Sequence, residues 1–174
     1  MQGNFLLQNR PVFLIGFMGC GKSYWGRQWA ANWHLPFKDM DGVIEEEAQM
    51  KVADIFEKQG EDYFRHLEAN ALRSLPIQSA VIACGGGMAC FHNNMEWMNA
   101  HGITVYLQAS PAYLLQNILK EPGVRPLAKN KNEAELLFFI ERKLRERNPF
   151  YHQAQIILNV EQAHLHSLSS IIHQ

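Results

Sequence analysis

Short apolar runs alternate with longer amphipathic stretches along the chain. This predicts an α/β fold with a parallel sheet. Val12-Phe13-Leu14-Ile15 reads as a buried strand, and the residues from Lys22 to Trp33 as a helix behind it. Pro36-Phe37-Lys38 reads as a short second strand ending at Asp39 and Asp41. From Val43 to Leu75 the period is helical, with breaks near Met50 and Gly60. Ala80 to Ala83 forms a third strand running into Gly85-Gly86-Gly87. Ile103 to Leu107 forms a fourth, and Ser110-Pro111 opens the helix after it. Gln155 to Leu158 is the expected fifth strand, ahead of a C-terminal helix. No repeat or linker interrupts the series, so a single domain over residues 1–174 is expected.

The segment from about Glu121 to Asn132 stands apart. It holds Pro122, Gly123, Pro126, Lys129 and Lys131 around Arg125. It reads either as an ordinary exposed connection or as a lid that brings Arg125 onto a ligand. Glu133 to Arg147 is helical, with Glu141/Arg145 and Arg142/Glu146 at pairing spacing, and Pro149 is expected to end that helix.

Charge narrows the function classes. Sixteen basic residues stand against 17 acidic ones, for a net charge of -1. No bulk field exists to grip nucleic acid or an anionic membrane, so any bound anion must be held by a local site. A hydrophobic content of 47% with 19% charged residues excludes a disordered chain. No apolar run reaches the ~18 residues of a membrane span, and Met1 to Arg10 lacks the pattern of a secretory signal. Cys20, Cys84 and Cys90 form no paired framework, which fits a reducing, cytoplasmic setting. Cys90 and His92 are neighbours, but no second pair completes a zinc site.

The decisive motif is Gly16-Phe17-Met18-Gly19-Cys20-Gly21-Lys22-Ser23, which satisfies G-x-x-x-x-G-K-[ST] between a strand and a helix. Glycines let the backbone curl into a nest of inward N–H groups, and the helix N-terminus adds partial positive charge. Lys22 is placed to neutralise the β- and γ-phosphates, and the Ser23 hydroxyl to ligate Mg²⁺. Gly19, Cys20, Gly21, Lys22, Ser23 and Tyr24 are therefore the candidate nucleotide contacts. Cys20 reads either as a small filler or as a thiol activated by the helix terminus. The motif implies a bound nucleoside triphosphate but not what receives its phosphate.

Four further features bear on the acceptor. Strand alternation would point the Asp39 and Asp41 carboxylates the same way at the carboxyl end of the sheet, where ligands gather. They suit Mg²⁺ and a hydroxylated substrate; alternatively Asp41 merely caps the helix beginning at Gly42. Arg65 adjoins the stripe of Phe64, Leu67, Ala71 and Leu75, three residues before Glu68. It reads as a bidentate carboxylate grip or as a plain surface ion pair. Gly85, Gly86 and Gly87 suggest backbone pressed close to a ligand. Arg147, before Asn148-Pro149-Phe150-Tyr151, would alone be a helix C-terminal charge.

Taken together, GFMGCGKS, D-M-D (39–41), GEDYFRHLE (60–68), ACGGG (83–87), VRPLA (124–128) and RNPFY (147–151) resemble shikimate kinases, in the family's order and over most of the chain. The resemblance implies a P-loop fold with a five-stranded parallel sheet, and transfer of the ATP γ-phosphate to the 3-hydroxyl of shikimate. It implies phosphate and Mg²⁺ roles for Lys22 and Ser23, with Asp39 holding Mg²⁺ largely through water. Asp41 would bind shikimate hydroxyls and act as the base. Arg65 and Arg147 would hold the carboxylate, with Gly86 contributing backbone contact. Arg125 would approach the phosphates. A monomer with shikimate and ATP as its partners is expected. Three departures stand out. An arginine common near the lid entry is absent from Asn117-Ile118-Leu119-Lys120, so that either Lys120 substitutes or the contact is missing. Residues 159–163 match poorly, and Cys84 replaces a frequent threonine. The alternatives are another small-metabolite kinase of this fold, such as a gluconate kinase, and a non-catalytic nucleotide-binding module.

Overall fold

The computed structural model describes residues 10–120 and 132–168. Five parallel strands form one sheet: β1 (Val12–Ile15), β2 (Phe37–Asp39), β3 (Val81–Ala83), β4 (Ile103–Gln108) and β5 (Ile156–Asn159). Their order across the sheet is β2-β3-β1-β4-β5, so β1 is central. Its four residues are all buried, because a middle strand with helices on both faces has no polar side.

Helices α1 (Lys22–Trp33), α2 (Met40–Ala48), α3 (Val52–Ser74), α4 (Asn94–His101), α5 (Pro111–Lys120) and α6 (Glu133–Tyr151) connect or flank the strands. Trp25, Trp29 and Trp33 stack along one side of α1, four residues apart, with centroid spacings of 5.2 and 6.4 Å. The Trp29 indole N–H donates to the Leu165 carbonyl and ties the chain after β5 to α1. Asn132 caps α6 in a reciprocal capping box with Glu135. No helix among the described residues is long and apolar enough to cross a membrane.

The five expected strands and the helices after the first, second and fourth are present, with three corrections. First, β2 ends at Asp39, and the helix begins at Met40, ahead of the expected Val43. Asp41 is therefore in the first turn of α2, and helical geometry rather than strand alternation aims its carboxylate. Asp39, not Asp41, is the cap: its Oδ1 accepts from the Asp41 backbone N–H. Second, Pro149 does not end α6, which runs on to Tyr151. A proline removes one N–H and crowds the preceding turn, but the buried Tyr151 anchors the last turn against the core. Third, α4 and a short 3-10 turn at Met88–Cys90 separate β3 from β4, where no helix was anticipated. On α6 the Arg142–Glu146 pair is present at 3.9 Å, and Lys143 reaches the same carboxylate at 2.6 Å. The break at Gly60 is real, since that residue is non-helical within α3. The expected C-terminal helix falls largely on residues 169–174, outside the described residues.

Candidate active site

The carboxyl edge of the sheet gathers the candidate residues, as it must when β1, β2 and β3 run parallel and side by side. The loop after β1 is a phosphate cradle. Gly19 and Gly21 have φ of +84° and +89°, in the left-handed region that other residues adopt only at a cost. These turns curl the backbone so that α1 starts at Lys22. The Lys22 ammonium donates to the Gly16 and Phe17 carbonyls, both at 2.9 Å, and lies across its own loop. Cys20 is buried, with its sulfur 3.8 Å from Lys22 Nζ. Its burial favours the filler reading. Tyr24 is 62% exposed and packs edge-on against Trp25.

Beside the cradle, the Ser23 hydroxyl donates to Asp39 Oδ2 at 2.6 Å. A hydroxyl and a carboxylate thus meet from α1 and β2, a pair of hard oxygen donors. Asp41 keeps an exposed surface at the cleft, while its Oδ1 lies against Gly85. Lost hydration pushes its pKa up, as does the negative charge of Asp39, while Lys22 and Arg65 pull it down.

Opposite lies Arg65, only 5% exposed. The surface ion-pair reading is therefore excluded. Its Nη1 donates to Glu68 Oε2 at 2.7 Å, and its Nε and Nη2 donate to Glu61 Oε1 at 3.1 and 2.7 Å. The ring of Phe91 sits 4.6 Å from the guanidinium carbon. The plane is thus fixed by two carboxylates and an aromatic face. Glu68 is fully buried, and its Oε1 has no hydrogen-bond partner among the described residues. Burial pushes this carboxyl up to about 7, against the pull of Arg65.

Gly85 and Gly87 are explained by close approach, not by unusual φ. A Cβ at Gly85 would lie 2.6 Å from Glu68 Oε1 and 3.0 Å from Asp41 Oδ1. At Gly87 it would lie 2.5 Å from Arg65 Nη1. Any side chain there would displace the acidic pair or the guanidinium. Gly86 faces the cradle: a Cβ there would be 3.5 Å from the Met18 nitrogen. The Gly86 carbonyl accepts from Arg147 Nη1 at 3.2 Å, and Arg147 also stacks over Phe17, 5.4 Å from the ring centre.

The geometry is that of a kinase cleft, with a phosphate cradle facing two arginines and two carboxylates. Comparison with known proteins decides the family. The shikimate kinase family model matches residues 18–174. The shikimate kinase of Bacteroides thetaiotaomicron is 40% identical over 152 residues, covering 87% of each chain. That of Bacteroides fragilis is 42% identical over 147 residues, covering 84% of this chain and 82% of its own.

This chain belongs to the shikimate kinase family.

Membership makes it an ATP-dependent phosphotransferase with an alcohol acceptor. Solved structures agree. The B. thetaiotaomicron enzyme superposes with a TM-score of 0.85 at 37% identity over 94% of both chains. Shikimate kinase from Acinetobacter baumannii, in complex with shikimate, gives 0.82 at 32% identity, over 97% of this chain and 92% of that one. A gluconokinase from Sinorhizobium meliloti shares the fold at a TM-score of 0.59, with 15% identity.

Within this shikimate kinase framework, the structure brings together Gly19, Cys20, Gly21, Lys22, Ser23, Asp39, Asp41, Arg65, Gly85, Gly86, Gly87 and Arg147. Arg125 lies outside the described residues. Near the end of α5, the Asn117 side chain donates to the Gly19 carbonyl at 2.9 Å. Two participants were not read from the sequence. Phe91 carries no polar signature. Tyr151 sits four residues after Arg147, a helical spacing that the assumed stop at Pro149 concealed.

Proposed function

We propose that the chain transfers the γ-phosphate of ATP to the 3-hydroxyl of shikimate, yielding shikimate 3-phosphate and ADP. The observation that carries this reading is the pair of arginines, Arg65 and Arg147, set around a turn of three bare glycines opposite the phosphate cradle. Shikimate has one carboxylate and a ring of hydroxyls. Two guanidinium groups suit the first; Asp41 and the glycine backbone suit the second. Phosphoryl transfer has a loose transition state with charge spread over the phosphate oxygens, so positioning and electrostatics dominate the rate.

The backbone of residues 16–21 and the start of α1 hold the phosphate chain, while Lys22 moves from its loop carbonyls onto the β- and γ-oxygens. Ser23 and Asp39, 2.6 Å apart, fit a hard divalent cation that keeps most of its water. They would hold Mg²⁺, which neutralises phosphate charge when bound. Asp41 holds the acceptor hydroxyl and receives its proton; its raised pKa suits that task. Arg125 is assigned to the phosphates by resemblance. We place the protein in the cytoplasm as a monomer, a setting that suits its three free cysteines.

The test is a coupled assay of ADP release with shikimate, gluconate and nucleoside monophosphates as acceptors. Shikimate-dependent turnover alone is the expected result; turnover with gluconate and none with shikimate would refute the assignment. Asp41→Asn is expected to lower kcat about 10²-fold, with ATP affinity within about twofold. Full activity in that variant would remove Asp41 as the base.

A further inference from the structure

The Gly86 carbonyl has two donors, and only one of them is an arginine. Tyr151 is fully buried, and its hydroxyl donates to the same oxygen. A carbonyl has two lone pairs, so both contacts are compatible. The Arg147 contact, at 3.2 Å, is at the long limit for N–H···O.

Both donors come from one helix face. Because α6 continues through Pro149, Arg147 and Tyr151 stand one turn apart and converge on a single acceptor. The Tyr151 ring is held from behind by Tyr106, at a centroid distance of 5.0 Å. Tyr106 lies in β4, in register with Ile15, the residue before the phosphate loop. Burial raises the Tyr151 pKa far above its ordinary value, so the phenol stays a neutral donor. Nothing in the proposed chemistry uses this hydroxyl.

We propose that Tyr151 is a positioning residue for the acceptor site: by holding the Gly86 carbonyl itself, it frees Arg147 to turn to the acceptor carboxylate without leaving that carbonyl unpaired. This rests on the kinase reading above and adds to it. Without the phenol, Arg147 is the only remaining donor to Gly86 O among the described residues. The acceptor must then compete with a protein carbonyl for the guanidinium. Leaving this part-buried carbonyl without a donor is costly enough to alter affinity by up to about an order of magnitude.

The variant is Tyr151→Phe, which keeps the ring. The expected result is an acceptor KM raised about tenfold, with kcat and the KM for ATP within about threefold. Adding Y151F to an Arg147→Ala background should change the acceptor KM little further, because the phenol acts through Arg147. Tyr106→Phe removes a neighbouring phenol that bonds to Asn148 and not to Gly86, and should leave both KM values unchanged. An unchanged acceptor KM in Y151F overturns the proposal, as does an equal loss for ATP or a full additive loss on R147A. A second readout does not depend on which acid is the acceptor. Amide exchange over residues 85–88 in ligand-free protein should quicken in Y151F. If wild-type protein ignores shikimate yet exchange quickens, the substrate assignment fails and the Tyr151–Gly86 lock stands. If exchange is unchanged, the lock itself is refuted.

Discussion

Replacing Lys22 with alanine should lower kcat by about 10³-fold or more, equivalent to roughly 4 kcal/mol of transition-state stabilisation. Two losses combine. The ammonium that would meet the β- and γ-phosphate oxygens disappears, and so do its bonds to the Gly16 and Phe17 carbonyls. Lysine suits the position because three donors on a flexible stem can divide between loop carbonyls and phosphate. The measurement is shikimate-dependent ADP release at saturating ATP, with nucleotide affinity read separately. A kcat within tenfold of wild type would show that the phosphate charge is met elsewhere.

Arg65→Ala should strike binding and stability together. Acceptor KM should rise on the order of 10²-fold, since a charge-assisted contact to the carboxylate is lost and its buried partner is left exposed to repulsion. Stability should fall by about 3 kcal/mol, because breaking a buried ion pair leaves the fully buried Glu68 uncompensated. For a domain of this length that corresponds to a Tm lower by roughly 6–12 °C.

The pH dependence follows from Glu68. Burial lifts its folded pKa from an ordinary 4.5 to about 7. A carboxyl whose pKa is raised by folding binds its proton more tightly in the folded state. Its contribution therefore favours folding at low pH and is lost as pH climbs from about 4.5 to about 7. Removing Arg65 deletes the charge that limits this penalty, so the variant should melt lowest above neutrality. Glu68→Gln on that background should flatten the pH dependence and recover part of the Tm. Wild-type melting in R65A across this range would show that the pair is not what holds the region.

Much of the architecture was legible because local chemistry repeats it. Val12 to Ile15 reads as a buried strand, and a G-x-x-x-x-G-K-S run after it as a phosphate loop. The breaks at Met50 and Gly60 were visible for the same reason. The errors arose where a distant contact overruled a local rule. Pro149 is a helix breaker by its own chemistry, yet Tyr151, packed on Tyr106, carries α6 beyond it. Asp41 follows a strand by spacing, yet Asp39 caps a helix that starts one residue later.

By itself, then, the sequence determined the phosphate cradle, the sheet that presents it and the residue types facing it, since each is encoded within a few neighbouring positions. Only the tertiary structure decided that Arg65 is buried between two acids, that Gly85 and Gly87 are bare because Glu68, Asp41 and Arg65 occupy the space their side chains would need, and that Tyr151 shares a carbonyl with Arg147. Those facts depend on which segments approach one another across the cleft, and no local period along the chain records such approaches.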